Sequence, residues 1–133
     1  MITCETESPG HFRTVVRVGE HQFHSDISPE SGGESSAPGP HDYFDASLAA
    51  CKALTASLYA KQKGIPLERV EVDVERDASR EREGVYTLKI RLAFHGPLDE
   101  AQRKRLHDVV TRCPIHKLMT HTEVIVETAP FTP

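Results

Sequence analysis

The sequence predicts an α+β domain in which mostly antiparallel strands surround one long, cysteine-bearing central helix. Three observations lead there. Between Tyr43 and Ala60 only Asp45 and Lys52 are charged, and six residues are alanine, so a helix here is apolar nearly all round. Arg69 to Asp77 (RVEVDVERD) and Val85 to Phe94 (VYTLKIRLAF) alternate with period two, and the polar turn around Arg80–Gly84 joins them as neighbours. A third alternating stretch, HFRTVVRV from His11 to Val18, precedes Gly19-Glu20 and a return segment over His21–Asp26.

The bulk numbers fit one folded unit spanning residues 1–133, since a single core serves a chain of that length. Apolar residues make up 38% and charged ones 27%, a balance that excludes a disordered chain. The net charge of −4 and the scattered basic residues argue against a nucleic-acid binder, which would carry a basic stripe. The first residues, Met1-Ile-Thr-Cys-Glu-Thr-Glu, lack the apolar run of a secretory signal, and no stretch is apolar for about 18 residues. A cytoplasmic protein is expected. Three cysteines, an odd number, then argue against a disulfide framework and leave reactive, metal-binding or simply buried thiols.

Taken in order, residues 1–10 read as a loose polar arm ending in Pro9-Gly10. The hairpin over His11–Asp26 places Arg13, Val15 and Arg17 on one face. Pro29 to Pro40 (PESGGESSAPGP) is a loop by composition. Pro40 suits a first helical position, and Asp42 and Asp45 oppose the positive end of the helix dipole. Gly64 followed by Pro66 stops that helix near Lys63. One small domain cannot easily cover such a helix on all sides, so dimerisation through it is expected. Asp99 caps a helix of about a dozen residues with Leu106, Val109 and Val110 as its apolar stripe. Cys113-Pro114 opens a second short helix, and Glu123 to Glu127 (EVIVE) reads as a closing strand. The expected order is therefore ββ-α-ββ-αα-β.

Chemistry concentrates on two thiols in unlike settings. Cys113 stands at a helix start, where free N–H groups and the dipole favour a thiolate, and His116 lies within reach of the same end. A half-buried cysteine beside a proline turn is the equally weighted plain reading. Cys51 sits mid-helix, where apolar surroundings disfavour the thiolate and a core role is the default. A cation from elsewhere would change that, and Arg13, Arg17 and Arg112 are the candidates. On the Cys51 face lie Phe44, Ser47, Leu48, Leu54, Thr55 and Leu58, an apolar wall suited to an apolar substrate and equally to core packing.

Other constellations are weaker. Cys113-x-x-His116 is half of a zinc site, but no second such pair appears, so no metal is expected. His41, Asp42 and Ser47 do not form a hydrolytic triad, because no GxSxG turn surrounds Ser47. Cys4 has no evident partner.

Three blocks resemble the OsmC/Ohr family of osmotically inducible and organic hydroperoxide resistance proteins: FRTVVRVGEHQFHSDISPESGG, GPHDYFDASLAACKALTASLYAKQKGIPLERVEVDVERD and GPLDEAQRKRLHDVVTRCPIHKLM. They run from Phe12 to Met119 in family order, and LAAC…YAxxKGxPL with RCPxH is the specific part. The resemblance implies an intertwined α+β homodimer with two sites built from both subunits. It implies a thiol-dependent peroxidase of the oxidative stress response, without a cofactor, reducing organic hydroperoxides. In that scheme Cys51 attacks the peroxide and Cys113 resolves the product. An N-terminal arginine, matched by Arg13 or Arg17, activates Cys51, and a carboxylate near the start of the central helix orients it. A dithiol, such as a lipoylated protein, recycles the pair.

The match is not complete. In the hydroperoxide-resistance branch the central helix opens Pro-Glu, whereas this one opens Pro40-His41-Asp42, so the carboxylate falls to Asp42. Nine residues separate Asp42 from Cys51, which sets them about half a turn out of phase on one helix. That departure motivates an alternative: a non-catalytic redox sensor or apolar-ligand binder using the same dimer-interface pocket. The local reading makes Cys113 the more acidic thiol, while the family assigns attack to Cys51. An imported arginine outweighs a helix dipole worth about 0.3–1 kcal/mol, so the family assignment is followed.

Overall fold

A computed structural model describes residues 1 to 131. The chain forms two compact units, residues 1–46 and residues 47 onward, with the long helix running through the division.

The first unit is built on a three-stranded antiparallel meander, β1 (Ile2–Thr6), β2 (Thr14–Val18) and β3 (His21–Ser25). Ile2 faces Val18 and Thr6 faces Thr14 across the first pair, and Val16 faces Phe23 across the second. The expected loose arm is therefore a strand. Every residue of β1 is exposed, so no apolar periodicity announces it; backbone pairing to β2 holds it, helped by an ion pair of Glu5 with Arg17 at 2.8 Å. Strand β2 begins at Thr14 rather than His11, and Val15 is its buried residue.

One carboxylate organises the Gly-Ser-Pro loop that follows. Asp26, only 4% exposed, accepts hydrogen bonds from the N–H groups of Ile27, Glu34 and Ser36 and from the Ser36 hydroxyl. Those donors hold its carboxyl down at about 2 from an ordinary 3.8, the Ser36 hydroxyl contributing most. Inside the loop, a Cβ on Gly33 would meet the Ile27 carbonyl oxygen at 2.2 Å, so the close approach there requires glycine.

The central helix, α1, spans Pro40–Lys63, with proline at its start as expected. Gly64 takes a left-handed φ of +67°, and the Ile65 N–H returns to the Ala60 carbonyl at 2.9 Å, which closes the helix end. At the other end the Tyr43 ring packs on Phe23 with centroids 4.8 Å apart, and its hydroxyl donates to the His24 carbonyl.

In the second unit, β4 (Arg69–Asp77) and β5 (Thr87–His95) form a two-stranded antiparallel ribbon, followed by α2 (Glu100–Val110) and α3 (Pro114–Thr120). Asp99 and Gln102 form a reciprocal capping box at the start of α2. The core gathers Ala56 and Ala60 of α1 with Ile65, Leu98, Leu106 and Val110; Val70, Leu92 and Phe94 of the ribbon pack against it. Alanines at the helix contact let the neighbouring elements approach closely. The apolar face of the ribbon, from Val74 and Ile90 onward, is only half covered.

The closing strand expected over Glu123–Glu127 is absent: residues 121 to 131 have no regular structure. Val124, Ile125 and Val126 are 64%, 71% and 84% exposed. The β-branched apolar run Val124-Ile125-Val126 suits a strand, but a strand forms only against a paired edge, and these residues meet none within the described chain. The observed order is βββ-α-ββ-αα.

Candidate functional site

Helix α1 carries Cys51 at its middle, half-buried, with Sγ 4.0 Å from the Thr55 hydroxyl one turn on. Cys113 is fully buried and forms the N-cap of α3, with Pro114 in the first turn. Both thiols are free, and Cys51 is near enough to Cys113 to bear on its ionisation. The fold thus joins two cysteines that stand 62 positions apart in the sequence.

The electrostatics of Cys113 reverse the expectation from its N-cap position. Burial pushes its thiol above the ordinary value, and proximity to Cys51 adds to the rise. The His116 N–H and the charge of Lys52 pull the other way without prevailing. No side-chain cap hydrogen bond closes on the sulfur, and α3 is only seven residues long, so the dipole contribution is small. Desolvation wins.

Lys52, read in the sequence only as a break in an apolar helix, is the unexpected member of the site. It is 2% exposed. Its Nζ donates to the Val110 carbonyl at 2.7 Å and lies 3.3 Å from Nδ1 of His116. Burial and the Lys52 charge push the His116 imidazole below its ordinary value, so it offers a neutral ring rather than a second cation. A charged residue following directly on Cys51 was the available signal, since lysine is almost never buried without partners.

The other expected residues divide by position. Leu48 is buried, Ser47 and Thr55 are half-buried, and Phe44, Leu54 and Leu58 are exposed at 48%, 70% and 58%. Arg13 pairs with Glu7 at 3.1 Å and donates to the Ser36 carbonyl at 3.0 Å. It lines a cavity of about 240 Å³ with Glu7, His11, Phe12, Asp26 and Gly33. Arg17 is exposed and pairs with Glu5, and Arg112 is exposed. Asp42 accepts from the Gly39 N–H at 2.8 Å at the start of α1. Among the described residues no group of three or more His, Cys, Asp or Glu side chains is placed to hold a metal ion. None of their helices is long and apolar enough to cross a membrane.

Residues 32–129 match the family described as OsmC-like protein. No curated protein matches the chain. Among solved structures, the fold resembles an OsmC-like protein from Mycoplasma pneumoniae at 24% identity and a TM-score of 0.72, covering 91% of this chain and 86% of that one. It also resembles an organic hydroperoxide resistance protein, OsmC, from Legionella pneumophila, at 21% identity and a TM-score of 0.62, covering 91% and 90%. A third is the organic hydroperoxide resistance protein OhrB of Bacillus subtilis, at 19% identity and a TM-score of 0.56, covering 91% of each chain.

Proposed function

This chain belongs to the OsmC-like protein family, and on that footing we propose that it is a dimeric, cofactor-free thiol peroxidase that reduces organic hydroperoxides with Cys51 and Cys113. The observation that carries the reading is the juxtaposition of two free thiols with unequal access, Cys51 half-buried and Cys113 fully buried. Likeness to hydroperoxide resistance proteins supports the substrate class.

Unequal access divides the labour. Substrate reaches only the half-buried sulfur, so the Cys51 thiolate attacks the distal peroxide oxygen. The O–O bond breaks, Cys51 becomes a sulfenic acid, and the alkoxide leaves as the alcohol after taking a proton. Cys113, kept as a thiol by burial, then attacks the sulfenic sulfur. A disulfide forms and its proton departs with the hydroxyl as water. An external dithiol returns the disulfide to two thiols and becomes a disulfide itself.

Arg13, held by Glu7 and the Ser36 carbonyl, and Arg17, paired with Glu5, are the candidates for the guanidinium that activates Cys51. Asp42 is the carboxylate offered at the start of α1.

The homodimer is supported by uncovered apolar surface beside the thiol. Leu54 and Leu58 follow Cys51 at three and seven residues on one helix, and both are exposed. Residues 124–126 add an exposed β-branched apolar segment. A second copy would cover both and wall the substrate side of Cys51, with Phe44, Ser47, Leu48, Leu54 and Thr55 contributing to a pocket for an apolar peroxide.

Turnover of cumene hydroperoxide with dihydrolipoamide as the dithiol tests the reading. Cys51→Ser is expected to abolish consumption, and Cys113→Ser to allow one oxidation per subunit and then stall. Wild-type rates in both variants would end the proposal. A wild-type protein that oxidises once and never turns over would place it with redox sensors instead.

A further inference from the structure

Two contacts of Lys52 fall on the segment that carries Cys113. The Val110 carbonyl lies three residues before that cysteine and the His116 ring three residues after it. The same carbonyl accepts the Cys113 N–H at 3.4 Å, so Lys52 and the Cys113 backbone converge on one oxygen at the end of α2. That oxygen belongs to the last turn of α2, where unsatisfied carbonyls and the negative dipole end favour a cation. Its neighbour in the sequence, Cys51, presents the other thiol.

We propose that Lys52 is the positioning residue of the dithiol: its ammonium ties the turn bearing Cys113 to the helix bearing Cys51 and supplies the positive charge against which Cys113 ionises. The contacts stand whether or not the protein turns over peroxide; the part Lys52 plays in resolving the sulfenic acid rests on the peroxidase reading above.

Charge balance supports this role. Neither acceptor of Lys52 is negative, since one is a carbonyl and the other a ring nitrogen. An ammonium donating to Nδ1 fixes the His116 ring proton on Nε2. The Lys52 charge acts on the Cys113 thiol, and Asp45, buried seven residues before Lys52, is a carboxylate on the same face of α1. Cys51 and Lys52 bear on Cys113 from α1 and His116 from α3, with His121 acting in turn on His116. From α2 comes the Val110 carbonyl, while Asp108 and the following Arg112 are exposed. A buried thiol gains little from water, so a fixed cation is what lets it ionise when the sulfenic acid appears. Cys113 therefore waits as a thiol and attacks with the help of Lys52.

The test is a titration with no peroxide present, so it fails or succeeds independently of catalysis. In a Cys4→Ser/Cys51→Ser background, Cys113 is the one remaining thiol, and its ionisation is read from thiolate absorbance in the ultraviolet as pH rises. Lys52→Gln is expected to shift the curve to higher pH and to lower the thiolate fraction at a given pH about tenfold, the effect of losing a nearby opposite charge. Lys52→Arg, which keeps the charge, is expected to restore most of that loss. Coincident curves for Lys52 and Lys52→Gln, with native circular dichroism, would overturn the proposal. Should Lys52→Gln not fold, ¹⁵N NMR of the unaltered protein decides. A neutral His116 ring protonated at Nε2 supports the clamp, and one protonated at Nδ1 refutes it.

Discussion

Nζ of Lys52 lies 3.3 Å from Nδ1 of His116, a contact that spans 64 positions of sequence and links α1 to α3 beside both thiols. Because the ring faces an ammonium and is partly buried, His116 is held neutral to lower pH than an ordinary histidine.

The sign of the resulting pH dependence follows from linkage. The unfolded chain binds a proton on His116 at about the ordinary value of 6.5, while the folded chain resists it. The stabilisation is therefore complete above 6.5 and is lost as pH falls toward and through the folded value. Two-dimensional NMR should show the His116 ring titrating below the ordinary histidine range. Its replacement in His116→Gln should flatten the decline in denaturation midpoint as pH falls below 6.5. A His116 ring titrating at or above 6.5 would contradict the contact.

Asp26 holds the loop between β3 and α1 through four donors from three residues. Its folded value of about 2 lies below the ordinary 3.8, so its contribution is present above 3.8 and disappears as pH drops through about 2. Asp26→Asn loses the charge-assisted bonds and is expected to lower the melting temperature at neutral pH by about 5 °C, with a smaller difference from wild type in strong acid. An equal melting temperature at neutral pH would show that the loop holds itself.

Leu58, 58% exposed on α1, tests the dimer without touching either thiol. Leu58→Glu places a charge in the surface assigned to the second copy, where burial is costly. Light scattering at micromolar concentration should give a dimer for the wild type and a monomer for the variant, and hydroperoxide turnover should fall with dimerisation. A wild-type monomer would remove both the dimer and the two-subunit site.

Much of the architecture was legible because local chemistry and tertiary structure agree. Pro40 and Gly64 bracket α1, Asp99 caps α2, Cys113 caps α3, and the alternation of Arg69–Asp77 marks β4 to the residue. Failures came where a partner decides the outcome. Strand β1 has no apolar face and exists through its pairing with β2, while residues 123–127 carry a strand-favouring β-branched run but have no edge to join. In the site, the two cysteines were legible and their environment was not. A helix-dipole reading of Cys113 cannot foresee its complete burial, and Lys52 acquires meaning only when Val110 and His116 are brought to it.

The central claim is that Cys51 and Cys113 act as a redox pair toward organic hydroperoxides. It is tested most directly by reducing the protein anaerobically, adding an equimolar amount of cumene hydroperoxide, and mapping thiols and disulfides by mass spectrometry. The expected result is rapid, complete formation of a Cys51–Cys113 disulfide with Cys4 still free. Recovery of all three thiols unchanged would contradict the account.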